Sequence, residues 1–569
     1  MNRRTRITVA LACLLCWVAP LSFSEDTPPV ERVGGLTFKS TIELTVVNIT
    51  VNVTDRSGSP VRDLTQDDFR VYQDGELREI THFESHSRDV FMTEPVSAVP
   101  RKTPEGDVGP EDSPTPRPTY VVLYIDNENL DPLDRNRVLS VAYDFVHDTL
   151  RPPVTMMVAS YDRRLKIAQP FTDDPQLVER ALRAQRRKTG GRPEMEQTVQ
   201  RLLDEISRYR QGGSGGGMQS PTLLLDQIHG IADEQTNSLA FTLQALRSIV
   251  SMMAGLPGKK SIIYVSNGLP MISGMELLTA YTEATQDPGA MSGISRHDQT
   301  RHFRALASAA AAQGVSFYTI AAGGLEVLAG TGADVQTVQD TGSMRAGHEN
   351  RMDSMRFLAE QTGGQAVVNT NNFERGFTRI ADDHFTYYSL GYQLSMSGAD
   401  KVHRIRVEIP EHPEYTVRHR KRYVEKSLET QVQDAVMTNL VFPVDENPLE
   451  IQVETGDPTP ASEDRWVMPI AVSFPLRNVA LIPRGEAYAG HCVLFIAAKD
   501  AEGGQSELVR QPHEVEVSQE QYDALKDERW VINSNLLMTS GALTVSVGMM
   551  DAVTRQASYG RVTTFIRGD

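Results

Sequence analysis

The run Thr119-Tyr-Val-Val-Leu-Tyr-Ile-Asp126 constrains the fold more than any other segment. Tyr120 to Ile125 are apolar or aromatic without alternation, the pattern of a strand buried on both faces of a parallel sheet. An acidic cluster of Asp126, Glu128 and Asp131 follows at once, and Pro132 is placed to open a helix with Asp131 as its N-cap. In an open α/β sheet, ligands bind outside the carboxyl ends of the strands. A buried strand that delivers carboxylates to that edge points to a ligand or metal site.

Strands and helices alternate from Thr119 to about Tyr392. Val154 to Tyr161, Ser261 to Ser266, Val315 to Ile320 and Gln365 to Val368 are short apolar runs, separated by helical stripes such as Val138, Val141, Ala142 and Phe145. This alternation predicts right-handed crossovers and a doubly wound, largely parallel sheet over 118–395, with an insertion around 190–235. Residues 35–86 read as a small β-rich domain, where Ile49, Val51 and Val53 alternate with polar residues and Asp74-Gly75 marks a hairpin. Residues 87–117 form a Pro-rich linker, 396–425 a β extension, and 430–569 a β-sandwich of short strands between Gly and Pro turns. The expected fold class is multidomain α/β plus β, with a central doubly wound, Rossmann-like domain flanked by β-rich regions.

A chain of 569 residues has room for three or four domains of roughly 150 residues. Its net charge is −17 with Lys and Arg dispersed, so no nucleic-acid groove is expected. Arg3, Arg4 and Arg6 precede the apolar stretch Ile7 to Val18, and Ser24 suits a cleavage site, which reads as a signal peptide over 1–24. Removing those three arginines takes −17 to −20. About twelve apolar residues are too few to span a bilayer, so no transmembrane anchor is expected after cleavage and the location is secreted or periplasmic. Two of the three cysteines lie in that segment; Cys492 reads as a buried strand residue outside any disulfide framework.

Further motifs fall in a fixed order. They are Val51-Asn-Val-Thr-Asp55, Leu64-Thr-Gln-Asp-Asp-Phe69 and Tyr72-Gln-Asp-Gly75, then Leu256-Pro-Gly-Lys-Lys260 leading into Ile262-Ile-Tyr-Val-Ser-Asn-Gly268. Tyr387-Tyr-Ser-Leu-Gly-Tyr392, His403-Arg-Ile-Arg-Val407 and Val417-Arg-His-Arg-Lys-Arg-Tyr423 complete the set. Together they resemble the von Willebrand factor A superfamily, specifically the secreted bacterial VWFA-related proteins of acidobacterial type, over roughly residues 40 to 425. The resemblance implies a central von Willebrand A-like domain with a metal-ion-dependent adhesion site, built from an Asp-x-Ser-x-Ser loop, a second-loop Thr and a third-loop Asp. Asp126 matches the first Asp, Glu128 and Leu130 occupy the two Ser positions, Thr236 is the candidate Thr, and Asn267 stands where the last Asp falls. Mg²⁺ demands near-octahedral oxygen ligation, and Leu130 offers no side-chain oxygen. The site is therefore expected to be degenerate. Asp126, Glu128 and Asn267 would bind ligand, Asp126, Glu128 and Thr236 any metal, and the cofactor is none or weakly bound Mg²⁺. Asp131 and Asp134 read as capping and helix-dipole residues.

No His-Glu-x-x-His run, Gly-x-Ser-x-Gly elbow or paired-cysteine motif is present, and His297, Asp298 and His302 read as ordinary polar residues at a helix start. No catalytic residue is expected. The reading is a non-enzymatic envelope or secreted protein that binds a protein or cell-surface ligand. A metal-dependent hydrolase using Asp126 and Glu128, and a purely structural envelope module, stand as its alternatives.

Overall fold

The structure, a computed structural model, describes residues 32–33, 36–37, 44–87, 118–190, 192–210, 220–325, 341–395, 400–462, 465–500 and 504–567. The signal peptide, linker residues 88–117 and the loop Gly212 to Gly217 lie outside the described residues. The chain divides into two compact units, Met1–Leu44 and Thr45–Asp569. In the first, Arg32–Val33 pairs antiparallel with Leu36–Thr37. Among the described residues no helix is long and apolar enough to cross a membrane.

In the second unit, a six-stranded sheet runs in the order Ala366–Val367, Val315–Ala321, Lys259–Ser266, Thr119–Asp126, Val154–Asp162, Arg164–Thr172. All neighbours are parallel except the last strand, which returns antiparallel along Val154–Asp162. Val121, Leu123 and Ile125 enter one core cluster, and Val122 and Tyr124 the other. The absence of alternation in Thr119–Asp126 thus has a direct cause: both faces are covered. Helices Pro132–Thr149, Pro175–Gln185 and Phe373–Phe385 cover one side, and Pro221–Met252, Thr300–Ala312 and Thr341–Thr362 the other. The chain first winds outward from Thr119–Asp126 to Arg164–Thr172, then restarts at Lys259–Ser266 and winds the opposite way. The strand order reverses between Thr119–Asp126 and Lys259–Ser266, which makes their carboxyl ends the switch point of the sheet.

Gly258, just before Lys259–Ser266, has φ of 81°. A Cβ there would lie 2.1 Å from the carbonyl oxygen of Pro118, an approach only glycine permits. Gly258→Ala is expected to cost about 1–3 kcal/mol, read as a lower urea midpoint; an unchanged midpoint would show that this approach can relax.

Residues 35–86 and 396–425, expected as separate pieces, contribute strands to one two-sheet sandwich. One sheet runs Thr416–His419, Leu44–Thr54, Tyr387–Ser395, His82–His86; the other runs Arg422–Glu425, Lys401–Glu408, Arg70–Gln73, Glu76–Arg78. Their inner faces share a core of Val47, Ile49, Val51, Val53, Phe69, Val71, Leu390 and Val407. Tyr387–Ser395, expected at the end of the α/β region, belongs to this sandwich instead. Pairing on both sides removes the open edges that Leu44–Thr54 would otherwise present.

Residues after 450 form two further antiparallel sheets around a shared core. Helix Leu428–Asn439 covers the outer face of one of them, with Val432 and Val436 against Val493 and Phe495. That second cover explains the unbroken apolar run around Cys492, which is buried and free.

Candidate functional site

Strand Thr119–Asp126 ends in a short 3-10 turn, Asn127–Asn129, and Asp126 caps it. The Asp126 carboxylate is fully buried and densely bonded. Its Oδ1 accepts the Asn129 backbone N–H at 3.3 Å and Asn129 Nδ2 at 3.1 Å. Its Oδ2 accepts the Tyr264 hydroxyl at 2.5 Å, the Ser266 hydroxyl at 3.1 Å and Asn129 Nδ2 at 3.0 Å. Two carboxylate oxygens offer about four lone-pair positions, so these donors use them up. Burial pushes the Asp126 carboxyl up to about 6, against the lowering effect of the bonds from Tyr264, Asn129 and Ser266. The Tyr264 hydroxyl is driven well above its ordinary value by burial and by this carboxylate.

The next turn is fixed from below. Arg135 is buried, donating from Nη1 to Asn127 Oδ1 at 3.0 Å and from Nη2 to the carbonyls of Arg186 and Lys188. Asp131 caps helix Pro132–Thr149 by accepting the Leu133 N–H at 2.8 Å, as its position before Pro132 predicts. Leu130 is fully buried in the core beneath the sheet's carboxyl edge. Asp134 lies in the first turn of that helix, and its Oδ2 accepts Asn267 Nδ2 at 3.1 Å, across the switch point. Asn267 Oδ1 is buried and accepts no hydrogen bond among the described residues.

Glu128 lies on the other side of Asn129, with Oε2 buried and without a hydrogen-bond partner among the described residues. Burial raises its carboxyl, Arg163 opposes the rise, and Asp162 and Glu194 add to it. Thr236 sits apart: its hydroxyl donates to Ser273 Oγ at 3.0 Å and accepts Gln299 Nε2 at 3.4 Å. On the same helix, Thr242 is the hydroxyl that meets the Asp126 shell, accepting Asn129 Nδ2 at 3.4 Å. His297 pairs with His229 at 3.0 Å, and among the described residues no group of His, Cys, Asp and Glu is placed to hold a metal ion.

The structure therefore gathers Asp126, Glu128 and Asn267 at one edge, with Tyr264, Ser266, Thr242 and Asp134, which the sequence reading did not select. Tyr264 and Ser266 carried a usable signal. They are polar-tipped residues two apart in an apolar strand, so they share a face. The neighbouring register, Val265 opposite Ile125, brings that face to Asp126.

Beside this cluster opens a cleft of about 980 Å³. It is lined by Glu128 and Asn129, by residues of helices Arg192–Arg210 and Pro221–Met252, and by Gly268, Leu269 and Pro270 after strand Lys259–Ser266. Residues between Glu194 and Leu203, with Glu234 and Gln235, supply much of the lining.

No protein-family model matches the chain, and no curated protein matches it. Similar solved structures include von Willebrand factor domains. The vWF domain of the type V pili tip protein Mfa5 from Porphyromonas gingivalis is 13% identical over 47% of this chain and 94% of that one, with a TM-score of 0.25. Three N-terminal domains of the same pilus protein are 11% identical over 79% and 76%, with a TM-score of 0.26. An aerotolerance-related membrane protein from Bacteroides fragilis is 11% identical over 47% and 98%, with a TM-score of 0.23. At such scores the strand order and the residues at its switch point carry the structural argument.

Proposed function

We propose that this chain is an exported binding protein. Its von Willebrand A-like α/β region would recognise a protein or surface ligand in the cleft at the switch point, without catalysis and without a cation on Asp126. The observation that carries the reading is the pairing of that cleft with a carboxylate already saturated by its own neighbours. A hard divalent cation needs about six oxygens. Asp126 has both oxygens engaged by Tyr264, Ser266 and Asn129, and Leu130 is core. Asn267 turns its amide nitrogen to Asp134, and Thr236 is bonded to Ser273 and Gln299. Glu128 Oε2 and Asn267 Oδ1 are left without a donor among the described residues, two oxygens against the about six that Mg²⁺ takes, and this shortfall supports a reading without the metal. The cleft wall combines carboxylates, amides and apolar side chains, including the exposed ring of Phe241, which is a recognition surface.

Affinity capture from native envelope extract tests this, with the wild type, a cleft-narrowing Ser238→Trp variant, and wild type in EDTA. The expected partner is retained by wild type with or without EDTA and lost by Ser238→Trp. Retention that depends on divalent cation and ignores Ser238→Trp would replace this reading with a working adhesion site. In the same vein, about 1 mM Mg²⁺ is expected to leave the melting temperature unchanged, because stabilisation grows only as RT ln(1 + [L]/Kd). A clear rise, abolished by Asp126→Ala, would contradict that expectation.

A further inference from the structure

The charges around the cleft are unbalanced. Among the described residues that line it, Glu128, Glu194, Glu234 and Glu276 stand with the cations Arg163 and Arg351. Arg163, Asp162 and Glu194 all lie close enough to Glu128 to act on it electrostatically, Arg163 more than either carboxylate. The imbalance is joined by a second feature: Glu128 Oε2 is buried at the end of the cleft with no donor among the described residues. A buried acceptor of this kind is costly until a donor reaches it, and a charged donor satisfies it best. The lining also carries partly exposed apolar side chains, Met195, Leu203 and Pro270, with Phe241 68% exposed. An acidic ligand would meet like charge here, whereas a cationic one finds complementary charge and then apolar contact.

We propose that the cleft receives a basic, amphipathic segment of a partner protein, with a lysine or arginine head on Glu128 and apolar neighbours on Met195, Leu203 and Pro270. The inference rests on the cleft being the recognition surface and adds the chemistry of what enters it. Arginine suits the position better than lysine, because its planar fork can meet a carboxylate with two parallel N–H groups. A cleft of about 980 Å³ stands at the upper end of the volumes that small ligands fill, and its mixed walls suit a short peptide with alternating character. The protein's overall charge of −17 would also draw a basic partner toward it at low salt.

Fluorescence polarisation on the full chain tests the proposal with three probes: a labelled Leu-Arg-Leu-Leu-Arg-Leu peptide, its Glu counterpart, and labelled arginine amide. The Arg peptide is expected to bind saturably, the Glu peptide not at all, and arginine amide at least tenfold more weakly than the Arg peptide. Glu128→Gln is expected to weaken the Arg peptide about tenfold, and the Glu194→Gln/Glu234→Gln pair to reduce the salt dependence of binding. Equal binding of the Glu peptide, or a Kd unmoved by Glu128→Gln, would overturn the charge assignment. Arginine amide binding as tightly as the peptide would overturn the peptide in favour of a small cation. Ser238→Trp and, from the facing helix, Thr198→Trp separate this from the underlying reading, each checked for an unchanged thermal melt. If they abolish binding of a peptide whatever its charge, the cleft stands and the basic partner falls. If the Arg peptide binds equally to both, the cleft itself is not the surface.

Discussion

Arg418→Ala is expected to destabilise the protein by about 3–5 kcal/mol, the largest effect of any single truncation considered for this chain. Arg418 Nη2 donates to Asp383 Oδ1 at 2.8 Å and Nη1 donates to Oδ2, a two-pronged pair in which Asp383 is 3% exposed. Burial alone would raise the Asp383 carboxyl, and Arg418, with Asn52 and Lys259, outweighs that and holds it below the ordinary carboxylate range. Asp383 also offers its backbone carbonyl to Asn52 Nδ2 at 3.1 Å and to Lys259 Nζ at 2.5 Å. It therefore ties the last α/β helix to two sandwich strands and to the strand beside the switch point. Removing the guanidinium takes away the strongest partner of a charge in a dry site and leaves Asn52 and Lys259 to answer it. Urea denaturation followed by far-ultraviolet circular dichroism measures the loss. The pair Arg418→Met with Asp383→Leu should recover most of it, since an apolar pair of similar volume has no charge to desolvate. A loss below about 1 kcal/mol for Arg418→Ala would place the pair among weak, solvent-screened ion pairs.

The same junction shows why some of the fold was legible in sequence and some was not. Ile49, Val51 and Val53 announced a half-buried strand, and Asp74-Gly75 a tight hairpin; the structure has Gln73 opposite Glu76, with both turn residues at positive φ. Those signals are local. What Leu44–Thr54 pairs with is not: Thr54 lies opposite Thr416, and nothing within either strand names the other. Tyr387–Ser395 follows an α/β helix directly, so without its partners it reads as one more strand of that region. The site divides in the same way. Asp126 was legible because a buried strand ends on it, while its donors Tyr264 and Ser266 lie in another strand and depend on register. Thr236 and Thr242 share one helix, and six residues at about 100° each (242 − 236) turn the second roughly 240° from the first. Spacing alone cannot choose between them; the Asn129 amide does.

Asp126→Asn is expected to become steadily more favourable relative to wild type as pH rises from about 4 to about 7. In the folded chain burial pushes the Asp126 carboxyl up to about 6, against an ordinary value of 3.8. Below both values each state holds the proton and Asp126 adds no pH dependence. Between them the unfolded chain releases its proton while the folded chain keeps it, so folding stability falls with rising pH. Above about pH 6 both are ionised and the penalty is complete, at roughly 3 kcal/mol for a shift of about two units. Asparagine cannot ionise, so the variant avoids that penalty while still offering a carbonyl oxygen to Tyr264 and Ser266. Other titrating groups are common to both proteins and cancel in the difference. Urea midpoints of wild type and variant at half-unit steps across this range give the curve directly. A difference that stays flat would mean that Tyr264, Ser266 and Asn129 stabilise the carboxylate enough to offset its burial, and that Asp126 titrates like an exposed aspartate. A difference that rises by the expected amount and levels above pH 6 would show that the edge of the sheet holds a carboxylate under strain. Its own hydroxyl and amide neighbours would then be compensating that strain only in part.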